Sequence, residues 1–194
     1  MRAYRVAYDG TAFYGFQRQP DVPTAEGALF SALVSLGVYD PANHRPPGYT
    51  AAGRTDAGVS AVAQTVTIDG PEWLTPRALN SELPADVRAW ASSEVADGFH
   101  ARHDAASRAY TYHLHAPDAD VPRARATLDT LSGTADLHNL TPDDEGTERT
   151  LETTLDVDGD YLVVTVRAGG FARELVRRLV GLVASVARGE RGGA

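Results

Sequence analysis

The chain has 194 residues, 43% of them hydrophobic, which is enough to build one large or two small globular cores. No window approaches ~18 consecutive apolar residues, which excludes a membrane-spanning helix, and the lack of cysteine excludes disulfides, thiolate metal centres and cysteine nucleophiles. Acidic residues number 26 and basic ones 18, for a net charge of −8, and every basic residue is arginine.

Residues 3–8 alternate and stop at Asp9-Gly10, which predicts a strand closed by a turn. No apolar signal core precedes it, so a cytoplasmic protein is expected. Thr24 is placed to cap a helix running to about Gly37, with Leu29, Leu33 and Leu36 at helical spacing. Pro41, Pro46, Pro47 and Gly48 make residues 39–50 a loop. Val62, Gln64, Val66 and Ile68 alternate with Ala63, Thr65 and Thr67 as a strand. Thr75-Pro76 opens a short helix through Ala78, Leu79 and Leu83, with a strand expected after it.

The pattern then repeats. Residues 108–115 alternate, with Tyr110, Tyr112 and Leu114 on one face. Residues 122–131 predict a helix with Ala124, Leu128 and Leu131 inward and Gly133 after its end. Pro142 to Glu148 is an acidic loop. Residues 155–157 and 161–168 predict a hairpin around Asp158-Gly159. Residues 171–188 form the strongest helical pattern, with Phe171, Leu175, Leu179, Leu182 and Val186 on one face. This order predicts two α+β units, 1–105 and 106–194, parted near residues 104–108.

Several runs carry chemistry, and each has a plainer explanation when taken singly. Gly53-Arg54-Thr55-Asp56-Ala57-Gly58-Val59 is a tight loop presenting Arg54 and Asp56. A nucleophilic carboxylate must be ionised, and a neighbouring arginine keeps it so; a β-turn with an incidental surface salt bridge fits the run as well. The run from Tyr8 to Gln19 holds aromatics, glycines, Arg18 and the amides Gln17 and Gln19. Such a mixture suits splayed bases and RNA backbone, or simply a hairpin loop packed on a core. Tyr110 and Tyr112 share a strand face, fit either to stack on a flipped base or to fill a core. Arg173, Arg177 and Arg178 fall in the first two turns of the last helix; Glu174 pairs with Arg178 at i,i+4, leaving Arg177 to reach a carboxylate or phosphate, or to line a solvated face. His100 and His103, and His113 and His115, lack a third ligand of matching spacing, so no metal site is read.

The charge balance argues on its face against nucleic acid, since phosphate contacts need cations. Net charge, however, governs solubility and says nothing of a local groove. A salt-rich cytosol would explain such a surface, because at ~1 M ionic strength the Debye length is only ~3 Å; a codon bias replacing lysine by arginine would too. The arginines bring planar forks suited to phosphate.

Together these runs resemble the tRNA pseudouridine synthase A family. Tyr8 to Gln19 is similar to its opening motif, and Gly53 to Val59 to its catalytic loop, with Asp56 at the essential aspartate. Leu79-Asn80-Ser81-Glu82-Leu83-Pro84 and Phe99-His100-Ala101-Arg102-His103-Asp104-Ala105 resemble its middle blocks. Arg108 to Tyr112 resembles its tyrosine strand, and Phe171 to Gly181 its last helix, with Arg177 at the arginine that pairs with the aspartate. The blocks occur in the family's order over most of the chain. Ser60 stands where the family usually has histidine, the segment between the two C-terminal strands is compact, and the chain stops soon after the last helix, where the family usually continues.

The resemblance implies an α+β pseudouridine-synthase fold, two halves with antiparallel sheets joined across a central RNA-binding cleft. It implies a homodimer without cofactor or metal that converts uridine to pseudouridine at tRNA positions 38 to 40, in the anticodon stem-loop. Asp56 would attack C1′ or drive loss of the 2′ proton, Arg177 would keep it ionised, and Tyr110 would stack on the uracil and help remove the C5 proton. Arg54 would assist flipping or hold phosphate, with Arg108 and Gln17 as further substrate contacts. The alternative is a catalytically impaired tRNA-binding protein or folding chaperone on the same fold.

Overall fold

The computed structural model describes residues 1–190. The chain divides into Met1–Ala105 and Ala106–Ala194, each an α+β unit with its own sheet and core.

In the first unit, β1 (Arg2–Tyr8), β2 (Thr50–Ala51), β3 (Ala61–Ile68) and β4 (Val87–Glu94) form an antiparallel sheet in the order β2-β3-β1-β4. α1 (Ala25–Ser35) starts as its sequence predicts, Thr24 Oγ1 accepting from the Gly27 N–H at 3.1 Å. That capping bond satisfies an N–H with no partner inside the helix. Thr75 caps the one-turn α2 (Pro76–Asn80) in the same way. Leu29, Leu33 and Phe30 of α1 bury against Tyr4, Val6 and Val66 of the sheet. The alternation in β3 is broken at its start. Val6 pairs with Gln64 but Tyr8 with Ala61, so a bulge turns Val62 out, 83% exposed.

In the second unit, β5 (Arg108–His115), β6 (Gly133–Asp136), β7 (Glu148–Asp158) and β8 (Tyr161–Ala168) are antiparallel in the order β5-β8-β7-β6. α3 (Val121–Leu131) and α4 (Leu175–Ala187) contribute Ala124, Leu128, Leu175 and Leu179 to a core over Leu155, Leu162, Val164 and Val166. The β7–β8 turn matches its prediction, with Gly159 at φ 55° between the paired Asp158 and Tyr161.

Two expectations are corrected. β7 begins at Glu148, within the stretch read as an acidic loop, and not at Leu155. Only Leu151 and Leu155 are apolar and buried along its first turns of sequence, so its polar outer face hides the period of two. α4 begins at Leu175, not at Phe171, which leaves Arg173 outside the helix. Glu174 takes the left-handed conformation, φ 61° and ψ −3°, which ends any helical run from the N-terminal side. Phe171 instead packs edge-on against Tyr110, ring centroids 5.3 Å apart.

Candidate active site

The loop from Gly53 to Ser60 is held from beneath by the run from Tyr8 to Phe16. The Phe16 N–H donates to the Thr55 carbonyl at 3.0 Å, and the Gly58 N–H to the Phe13 carbonyl at 3.2 Å. The Tyr8 hydroxyl lies 2.8 Å from Thr55 Oγ1. The Gly10 N–H donates to Ser60 Oγ at 2.9 Å, and Gln64 Nε2 to the Gly53 carbonyl at 2.8 Å. These bonds fix the backbone on both sides of Asp56, while the side chains of Arg54 and Asp56 are exposed. A loop so tied presents its carboxylate on a rigid base, as a catalytic group requires.

Two glycines allow this closeness. A Cβ on Gly10 would overlap the Val59 carbonyl, and one on Gly15, whose φ is 99°, would press on the Thr55 oxygen. The aromatic run therefore divides its work. Phe13 and Phe16 are buried support, whereas Tyr14 and Gln17 are exposed. Arg18 lies over the Phe30 ring, 5.4 Å from its centroid, and its N–H donates to Glu26 at 2.7 Å. Sequence reasoning missed Tyr8, Gly10 and Ser60 as supports; the signal was two glycines flanking a buried aromatic.

In the second unit, Tyr110 is half-buried on β5, opposite Val166, and leans on Phe171. On the same strand face, Arg108 Nη1 donates to the Gly169 carbonyl at 2.9 Å. Arg177 sits in the first turn of α4. Glu174 does not pair with Arg178 alone. Its Oε1 is 3.0 Å from Arg177 Nη2 and its Oε2 is 2.9 Å from Arg178 Nη2. Hydrogen bonding from Arg178 and the charges of Arg177, Arg178 and Arg173 hold the Glu174 carboxyl below its ordinary range.

Just before this turn the chain is clamped. Asp143 Oδ2 accepts from the Arg173 N–H at 2.8 Å, and Oδ1 lies 3.2 Å from Arg173 Nε. The Thr141 hydroxyl donates to the Arg173 carbonyl at 2.9 Å. The Asp143 carboxyl is likewise held low, first by the backbone N–H of Arg173 and then by its guanidinium.

No family model matches the chain. Among curated proteins, it is 66% identical over 193 residues to one from Natronomonas pharaonis, covering 98% of this chain and 72% of that protein. It is 59% identical over 198 residues to one from Haloarcula marismortui, with 97% and 72% covered. A third, from Methanosarcina barkeri, is 38% identical over 195 residues, with 97% and 71% covered. All three bear the name tRNA pseudouridine synthase A.

Proposed function

The chain belongs to the tRNA pseudouridine synthase A family, and from that premise we propose that Asp56 is the carboxylate with which it isomerises uridine in the anticodon stem-loop of tRNA. The enzyme is an isomerase. It breaks the N1–C1′ bond, turns the uracil and joins C5 to C1′; N1 gains a proton and C5 loses one, so no atom is added or lost. A base inside a stem must leave the stack before its glycosidic bond can be reached.

The observation that carries the role of Asp56 is the loop itself, pinned through Thr55, Gly58 and Ser60 while the carboxylate stays exposed. As an anion, Asp56 either attacks C1′ or takes the 2′ proton. Arg177 is the cation that acts with it. Tyr110 offers its ring to the uracil and its hydroxyl to the C5 proton. Arg54, Arg108 and Gln17 contact the RNA, Arg54 at the displaced nucleotide or a phosphate. The enzyme works as a homodimer in the cytoplasm, where tRNA is its partner, with no cofactor.

Asp56→Asn tests the assignment. On an unmodified anticodon stem-loop, pseudouridine formation falls by at least about 10³-fold while RNA binding survives. Mass spectrometry of the product reads the outcome, and substantial residual conversion would remove Asp56 from the chemistry.

A further inference from the structure

Trp90 serves neither the core nor the catalytic loop. It stands on β4 where the register slips, Val6 facing Ala89 and Arg5 facing Ala91. Val87 and Ala89 are buried on the α1 side. Alternation therefore sends the indole to the opposite face of the sheet, where it is 56% exposed. Leaving an indole half in water forgoes one of the largest hydrophobic gains a side chain can make.

The ring is nonetheless fixed. Trp90 Nε1 donates to the Val62 carbonyl at 2.9 Å, which lays the indole across β1 toward β3. Val62 sits in the β3 bulge, where the regular ladder is interrupted and a carbonyl can take a side-chain donor. On the same face, Arg5 Nη1 donates to the next carbonyl, that of Ala63, at 3.3 Å. An indole and a guanidinium are thus both tied to adjacent carbonyls of one strand. That strand begins at Ala61, directly after Ser60, the last anchored residue of the catalytic loop.

We propose that Trp90 and Arg5 form a binding platform for the substrate tRNA, the indole stacking on a nucleobase and the guanidinium meeting a phosphate beside the Asp56 loop. The inference rests on tRNA being the substrate. Its chemistry suits this chain. With a net charge of −8, long-range attraction for RNA is poor, and the phosphate contacts that remain weaken as salt rises. A stacked ring contributes through its π-face and needs no charge. Because the ring is tied down before RNA arrives, little freedom is lost on binding. The guanidinium carries five N–H donors, of which the bond to Ala63 uses one.

The test uses the two tryptophans, Trp73 and Trp90. In Trp73→Phe, Trp90 is the sole indole, and titration with an unmodified anticodon stem-loop quenches its fluorescence at the midpoint given independently by filter binding. Trp90→Ala weakens binding roughly tenfold with no change in its salt dependence, and Trp90→Phe, which keeps a ring, recovers most of it. Arg5→Gln instead lowers the slope of log affinity against log salt by about one. Unquenched fluorescence in a protein that still binds the stem-loop overturns the platform. So does a Trp90→Ala protein that binds as tightly as the parent, or whose one change is in its oligomeric state. Quenching without pseudouridine formation upholds the platform and removes the isomerase reading, so the two fail separately.

Discussion

Oε1 of Glu174 lies 3.0 Å from Nη2 of Arg177, so the arginine proposed for the chemistry has an acidic partner one turn away on its own segment. Glu174→Gln keeps the size of the side chain and removes its charge. If Arg177 takes part in the chemistry as proposed, the variant acts on turnover and not on RNA binding. Its kcat falls roughly 5- to 10-fold, as Arg177 loses one of the contacts that orient it, with little change in KM. An unchanged kcat would separate Glu174 from the chemistry.

Gly10→Ala strikes the support of the Gly53–Ser60 loop. The new methyl overlaps the Val59 carbonyl, and since that neighbour is backbone, the loop must move. Overpacking of this kind costs about 1–3 kcal/mol. Single-turnover conversion drops at least about 100-fold, since a displacement near 1 Å at a reacting group is felt on that scale. RNA binding, measured in parallel, changes far less.

Tyr8→Phe is the milder version. It removes the hydroxyl 2.8 Å from Thr55 Oγ1 and leaves the ring, buried beside Phe16, in place. A loss of ~1 kcal/mol in the first unit is expected. Both tryptophans lie in that unit, so urea unfolding followed by their fluorescence reports it directly.

Acid should loosen the second unit. Asp143 and Glu174 both have carboxyls held below the ordinary range. A carboxyl lowered in the folded state adds stability that is complete above its unfolded value, about 4, and is lost as pH falls through the lower folded value. Asp143→Asn is therefore less stable than the parent at neutral pH, and the gap closes below about pH 4. Circular dichroism melts across that range measure it, and a constant gap would contradict the linkage.

Much of this molecule is readable in its sequence because the cues are local. Thr24 and Thr75 announce helix caps, and residues 108–115 keep a strict period of two. The strands β2 and β6 are two and four residues long, too short to show any period. Phe171 continues the apolar spacing of α4, which hides the true start of the helix, and the left-handed turn at Glu174 leaves no mark in composition. At the site, Arg54 and Asp56 declare themselves, but their support does not. The Gly10 bond to Ser60 joins residues 50 apart in sequence, and only folding brings such pairs together. Likewise, the pairing of Glu174 with two arginines depends on which rotamers the helix end permits, and not on spacing alone.

The bonds that reach the Gly53–Ser60 loop from Tyr8, Gly10, Phe16, Gly58 and Gln64 join hydroxyls, amides and carbonyls, and the Asp9 carboxylate adds a hydrogen bond with Ser60. Those that brace the start of α4 include ion pairs, Asp143 with Arg173 and Glu174 with Arg177 and Arg178. Dissolved electrolyte screens the second kind and hardly touches the first. Ionic strength thus acts more strongly on the arginine turn than on the neutral bonds beneath Asp56. For a chain 66% and 59% identical to proteins from halophilic organisms, the neutral bonds beneath Asp56 are of the kind that brine loosens least.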